Sequence, residues 1–100
     1  MKNLAKSFLL VSALSFSAVT FSAPAKEAAC RACHGENGAK PLLDNYPKLA
    51  GQNKGYLVEV LKAYRSGERK GGQSMIMTAQ ASALSDADIE ELATFYAAAK

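Results

Sequence analysis

Two cysteines and a histidine lie within five consecutive residues, and their side chains are well suited to bind a metal or a cofactor. Cys30 and Cys33 are the only cysteines among the 100 residues, and His34, directly after the second, is the only histidine. The segment reads CRACHGENG from position 30. This spacing is compatible with four kinds of site: a zinc site, a redox-active disulfide, a structural disulfide and a covalently attached haem.

Three of these alternatives are disfavoured by the rest of the sequence. Zinc sites take four ligands arranged as a tetrahedron, whereas these three side chains are nearly adjacent and no other Cys or His exists. A thioredoxin-like pair belongs with a βαβ pattern, and no alternating strand pattern is found. A plain disulfide between Cys30 and Cys33 would explain neither the histidine that follows nor how so short a chain completes its core.

Covalent haem attachment explains all three side chains. Cys-x-x-Cys-His is the attachment signature of c-type haem. Cys30 and Cys33, three residues apart on a helical turn, are expected to form thioethers along one edge of the porphyrin. His34 then points toward the iron, for which an imidazole is a good ligand. Haem is attached outside the cytoplasm, so the motif also agrees with an export signal.

The N-terminal segment has the features of a secretory signal peptide. A basic head precedes an uncharged apolar stretch at 8–21, and small residues that match an A-x-A cleavage pattern follow. The apolar stretch is shorter than the roughly 20 residues that a membrane span needs, and it contains several hydroxyl residues. We predict a signal peptide at 1–25, cleaved after Ala25 or Ala23, and a single domain at 26–100.

The predicted domain is small and nearly neutral. It has 75 residues, too few for apolar burial alone to give comfortable stability, so a disulfide, a metal, a cofactor or a partner is expected to complete the core. Loss of Lys2 and Lys6 lowers the formal charge from +3 for the full chain to +1, and the remaining charges are dispersed. Nucleic-acid binding, which calls for a clustered basic patch, is not predicted.

The hydrophobic pattern predicts helices. Leu57, Leu61 and Tyr64 recur at helical spacing and indicate an amphipathic helix that begins after Asn53 and stops near Gly67. No internal repeat and no strand pattern are found. The predicted fold class is therefore all-α.

A second helix is predicted at the C-terminal end. Ser85 and Asp88 resemble a capping box, with aspartate in place of the usual glutamate. The apolar stripe of this helix consists of Ile89, Leu92 and Tyr96. The segments 35–46 and 68–80 are rich in turn-forming residues and are predicted to be loops.

The second axial ligand of a haem iron must come from another residue type, because no second histidine exists. Methionine is the other protein ligand of such iron. Apart from Met1 the sequence has only Met75 and Met77, both in the predicted loop before the last helix. Such a loop is able to approach the ring from the opposite face. Spacing alone does not choose between them, because residues i and i+2 of an extended segment point the same way.

The chain resembles small class I c-type cytochromes, in particular one half of the dihaem c4 type and the related monohaem carriers. The resemblance covers residues 26–100 and rests on three segments: CRACHGENG, YPKLAGQNKGYLVEVLKAYRSGERK and SMIMTAQASALSDADIEELATFYAA. It implies a small cytochrome c fold, with three or so helices around one covalently bound haem c. It also implies a helix before the CxxCH motif, for which cleavage after Ala25 leaves only four residues.

The resemblance also implies roles for individual residues. In the family pattern the ligand methionine lies eight residues before the serine of LSD, which selects Met77 over Met75 and pairs it with His34. Pro47 matches a proline whose carbonyl accepts a hydrogen bond from the proximal imidazole, and Leu49 matches a residue packed on the haem face. Three further residues are candidates either to reach the haem propionates or to lie in solvent: Gln52, Tyr56 and Arg69.

This ligand set predicts an electron carrier and not an enzyme. With both axial positions filled, iron does not readily bind oxygen or a substrate and is left to cycle between Fe(II) and Fe(III). We expect a periplasmic one-electron carrier that exchanges electrons with unidentified redox proteins and has no membrane span in its mature form. Two alternatives stay open: a haem c subunit of a larger periplasmic redox complex, or a small-ligand sensor or enzyme in which Met77 is displaced.

Overall fold

The computed structural model describes residues 22–100. In this range the chain forms four α-helices and one 3₁₀ turn at Glu36–Gly38, and it contains no β-strand. The helices are α1 (Glu27–His34), α2 (Lys54–Ser66), α3 (Ser74–Ala81) and α4 (Asp86–Ala98). The predicted all-α fold is confirmed, with four helices where three or so were expected.

The predicted signal peptide at 1–25 lies almost wholly outside the described residues, and so does its apolar stretch at 8–21. Its cleavage site and the domain boundary at 26 therefore stay predictions. Between residues 22 and 100, no helix is both long enough and apolar enough to cross a membrane.

Helix α2 begins and ends where the sequence predicts. Asn53 precedes it in an extended conformation, but its side chain caps nothing; instead its N–H donates to the Gln52 side chain at 3.1 Å. At the other end Gly67 adopts a left-handed conformation, and its N–H donates to the carbonyls of Ala63 and Tyr64. Glycine is favoured here because a left-handed residue satisfies the last helical carbonyls without a Cβ clash.

Helix α4 begins with the predicted capping box. The Asp88 N–H donates to the Ser85 hydroxyl at 3.1 Å, and the Ser85 N–H donates to the Asp88 carboxylate at 3.0 Å. The hydrogen bond from the Ser85 backbone lowers the pKa of Asp88. Ile89, Leu92 and Tyr96 are all buried, so the predicted apolar stripe is the inner face of this helix.

The predicted loop at 68–80 is wrong in its second half, which forms α3. Methionine, alanine and glutamine are good helix formers, and the Gly71 carbonyl accepts hydrogen bonds from both the N–H and the hydroxyl of Ser74 at the helix start. The sequence of α3, SMIMTAQA, contains no charged residue. It therefore lacks the alternation of polar and apolar faces by which an amphipathic helix is recognised.

The hydrophobic core is small and lies where α2 and α4 pack together. Leu57 of α2 joins Leu92, Ala93 and Tyr96 of α4 in one buried cluster. Partly buried apolar side chains pack around it: Cys30, Leu49, Val58, Leu61, Leu84 and Phe95. So small a cluster agrees with the expectation that a further group must complete the interior of the domain.

Removal of the N-cap hydroxyl tests the start of α4. Ser85→Ala leaves the Asp88 N–H without its side-chain acceptor, and we expect the free energy of unfolding to fall by about 1 kcal/mol. Chemical denaturation followed by circular dichroism measures this. Ser82→Ala is the control, because the Ser82 hydroxyl donates to the Ala79 carbonyl and caps no helix N-terminus. Equal losses for the two variants would contradict the capping role.

Candidate functional site

A cavity of about 300 Å³ lies between the helices, and the residues of the CxxCH motif form part of its wall. Pockets that bury a cofactor or a ligand start at about this volume. Potential ligating side chains in the wall are Cys30, Cys33, His34 and Met77, and apolar neighbours include Leu49, Val60, Leu61 and Leu92. A more open depression of about 380 Å³ lies between residues 22–24 and α4, and its wall has no cysteine, histidine or methionine.

Helix α1 places all three motif side chains on one face. Positions i, i+3 and i+4 of an α-helix are neighbours on its surface, and Cys30, Cys33 and His34 have this spacing. Both thiols are free and partly buried. Burial raises the pKa of the Cys30 thiol, and the negative charge of Glu27 raises it further, while the nearby Tyr96 hydroxyl lowers it.

His34 is held in one orientation by the backbone of the following loop. The ring is 4% exposed, and its Nδ1 lies 2.7 Å from the Pro47 carbonyl oxygen. A carbonyl can only accept, so Nδ1 carries the proton and donates, and Nε2 keeps its lone pair. Metal-binding histidines typically donate their second ring N–H in this way. The structure thus contains the hydrogen bond that the family resemblance implied for Pro47.

Met77 and Met75 have different environments because α3 is a helix. Residues two apart on a helix point in widely different directions, whereas they share a side in the extended segment that the sequence analysis assumed. Met77 is partly buried and lines the cavity, while Met75 is 83% exposed and does not. Ile76, between the two methionines, is 44% exposed and lies at the cavity wall.

Leu49 is fixed in the cavity wall by a close backbone approach that only glycine allows. The Leu49 N–H donates to the Gly38 carbonyl at 2.9 Å. Gly38 has a φ of +67°, and a Cβ built on it would lie 2.7 Å from the Leu49 Cβ and 2.9 Å from the Tyr96 ring. Nothing in the local sequence singles out Gly38, because its constraint comes from residues distant in the chain.

The three propionate candidates also line the cavity: Gln52, Tyr56 and Arg69. Tyr56 is 49% exposed and so lies at the cavity opening. The guanidinium of Arg69 stacks over the Tyr64 ring at 4.7 Å from the centroid, which restricts where its charge can lie. Contact with the propionates and a position in solvent both stay open for these residues.

Glu27 is a buried residue of this region that no sequence pattern indicates. It is 1% exposed, and the Tyr96 hydroxyl donates to its Oε1 at 3.0 Å. Arg31 lies one turn along α1, with Nη2 3.2 Å from the Glu27 Oε2. Burial raises the pKa of Tyr96 well above its usual range. The spacing of Glu27 and Arg31 signals an ion pair, but nothing local signals that the carboxylate is buried.

Comparison with known proteins decides what this cavity holds. A family model for cytochrome c matches residues 23–99. The chain belongs to the cytochrome c family. This cytochrome is 49% identical over 67 residues to cytochrome c-554(548) of Halomonas halodenitrificans. The aligned part covers 67% of this chain and 80% of that protein.

The c4-type cytochromes are similar over part of their length. The sequence is 38% identical over 81 residues to cytochrome c4 of Stutzerimonas stutzeri, covering 75% of this chain and 38% of that protein. The crystal structure of reduced recombinant cytochrome c4 from Pseudomonas stutzeri matches with a TM-score of 0.64 and 36% identity, over 71% of this chain and 38% of that chain. The resemblance to a monohaem class I cytochrome like one half of c4 is confirmed.

The cofactor of this cytochrome is one covalently bound haem c, and its general function is electron transfer. The cavity fits that group. It offers two free thiols on one helical face, an imidazole whose Nε2 keeps its lone pair, and a thioether in one largely apolar enclosure. Soft sulfur and imidazole donors are those that haem iron takes in c-type proteins.

A methyl group added at Gly38 tests how closely Leu49 and Tyr96 pack against this residue. Gly38→Ala forces Leu49 and Tyr96 apart at a positive φ, and we expect a loss of about 2 kcal/mol in stability of the haem-containing protein. Thermal denaturation followed by the haem absorbance measures it. Gly72→Ala is the matched control, because Gly72 also has a positive φ, of +51°, and no surrounding atom lies within 4 Å of a Cβ there. A loss as large at Gly72 would contradict the packing argument.

Proposed function

We propose that this protein is a periplasmic one-electron carrier in which Cys30 and Cys33 hold the haem and His34 and Met77 ligate its iron. The observation that carries the proposal is that these four side chains, from α1 and α3, line one cavity. We assign export to the signal peptide predicted at 1–25. We propose no catalytic residue, because His34 and Met77 leave the iron no open coordination position.

The residues around the site have separable tasks in this proposal. When bound, haem c supplies the Fe(II)/Fe(III) couple. The Pro47 carbonyl fixes the tautomer and orientation of His34, which keeps the Nε2 lone pair available as a ligand and raises its basicity. Leu49 and Leu92 exclude water from the cavity. An apolar surrounding and a methionine ligand both favour the reduced state and raise the potential.

We further propose that redox partners dock on an apolar surface at the cavity edge. The Leu42 N–H donates to the Cys33 carbonyl at 2.9 Å, so Leu42, 70% exposed, lies beside the attachment motif. Ile76 is also exposed and lines the cavity, on a helix without charged residues. Electron-transfer encounters are small and weak, and a contact of this composition needs little charge complementarity.

The ligand assignment is tested by exchanging each methionine for alanine. Met77→Ala opens the sixth coordination position, so we expect a lower reduction potential, carbon monoxide binding and loss of the weak red absorption band of the oxidised Met–iron bond. Met75→Ala is the matched control and should keep the band, because its side chain lies in solvent.

The methionine exchange and two measurements on the unaltered protein separate the candidate functions. A band that survives in Met77→Ala and vanishes in Met75→Ala overturns the ligand assignment. Ready carbon monoxide binding by the unaltered protein supports the small-ligand sensor or enzyme, in which Met77 is displaced. Migration of the native protein with a larger assembly on gel filtration supports the subunit role.

The docking surface predicts a weak dependence of electron-transfer rate on ionic strength. Steering by charge requires complementary patches. In the most basic part of α2 and the loop after it, the Arg65 charge is paired with Asp86 at 2.6 Å, which reduces the net charge there. Stopped-flow oxidation by a neutral small-molecule oxidant and by a protein acceptor, over a range of salt, measures this. A steep fall of the protein rate with salt would contradict an apolar contact.

A further inference from the structure

Glu27 is a charged side chain enclosed by protein next to the haem attachment motif. Its side chain is 2% exposed. One carboxylate oxygen accepts from the Tyr96 hydroxyl at 3.0 Å, and the other lies 3.2 Å from the Arg31 guanidinium. A buried carboxylate is costly unless paired and hydrogen-bonded, and neither haem attachment nor iron ligation requires one here.

The two charges of the ion pair are unequally screened. The Arg31 side chain is 51% exposed, so water and salt weaken its field, whereas the Glu27 carboxylate has almost no contact with solvent. Charges inside a protein act over a longer range than exposed ones because the surrounding dielectric constant is lower. The ion pair therefore acts on the protein interior as a net negative charge.

That negative field extends into the haem site. Tyr96, which holds the carboxylate, also lines the cavity. Cys30 lies one helical turn after Glu27 on α1.

We propose that Glu27 tunes the reduction potential of this cytochrome, its buried carboxylate stabilising the oxidised state. The inference rests on the proposed electron-carrier function. Reduction adds one electron at the site, and a fixed negative charge nearby opposes that addition. Glu27 thus offsets part of the rise in potential that methionine ligation and an apolar pocket produce. It acts through its field and touches no reacting atom.

The test is the midpoint potential of Glu27→Gln, determined by spectroelectrochemical titration of the holoprotein. Glutamine keeps an oxygen that accepts from the Tyr96 hydroxyl but removes the charge. We expect a higher midpoint potential, so that the reduced-to-oxidised ratio at a given applied potential rises several-fold. A tenfold rise corresponds to about 59 mV for one electron. Raising the ionic strength should not abolish the shift, because the carboxylate is buried.

Glu90→Gln is the matched control. It removes the same formal charge from a side chain that is 53% exposed and paired with Lys54 at 3.2 Å. We expect a small change that disappears in salt. The red band of the Met–iron bond is recorded for each variant, so that a change of ligand is not mistaken for a change of field.

Two outcomes overturn the inference: an unchanged potential in Glu27→Gln, or an equal shift in Glu90→Gln. If Glu27 only holds α1 against α4, Glu27→Gln lowers the melting temperature without changing the potential. If Glu27→Gln does not fold, Arg31→Gln replaces it, since removal of the guanidinium should lower the potential at mildly alkaline pH, and a rise would contradict the proposal. Failure of the unaltered protein to show c-type bands would instead refute the proposed function.

Discussion

Tyr96 connects the separate parts of the chain that enclose the haem site. Its hydroxyl donates to Glu27 on α1, and its ring packs against Gly38 after the motif. Its carbonyl accepts from the Gly51 N–H at 2.9 Å, which ties the loop before α2 to the end of α4. Because one residue joins α1, two loops and α4, the wall of the cavity forms only when these parts meet.

This arrangement compensates for a short first helix. Helix α1 has eight residues and ends at His34, so it has little length with which to pack across α4. The buried hydrogen bond from the Tyr96 hydroxyl to Glu27 replaces part of that apolar contact. Such a bond is directional and holds α1 in one rotation, which keeps the two thiols and the imidazole facing the cavity.

The division of polar and apolar groups suits an electron carrier. The cavity wall is largely apolar, which favours a dry pocket, while three ion pairs lie outside it: Arg31 with Glu27, Arg65 with Asp86 and Lys54 with Glu90. Helix α3 contributes Met77 to the inside and exposes Met75 to solvent. One short uncharged helix thus serves both the interior of the site and its outer edge.

The sequence by itself determined the features whose causes are local. The spacing of Cys30, Cys33 and His34 places them on one face of any helix, and the capping box at Ser85 needs only residues of the same turn. Tertiary structure decided the rest. Helix α3 has no polar face for periodicity to reveal, and the separation of Met77 from Met75 follows from that helix. The burial of Glu27 depends on Tyr96, 69 residues away, and a contact over that distance leaves no local pattern in the sequence.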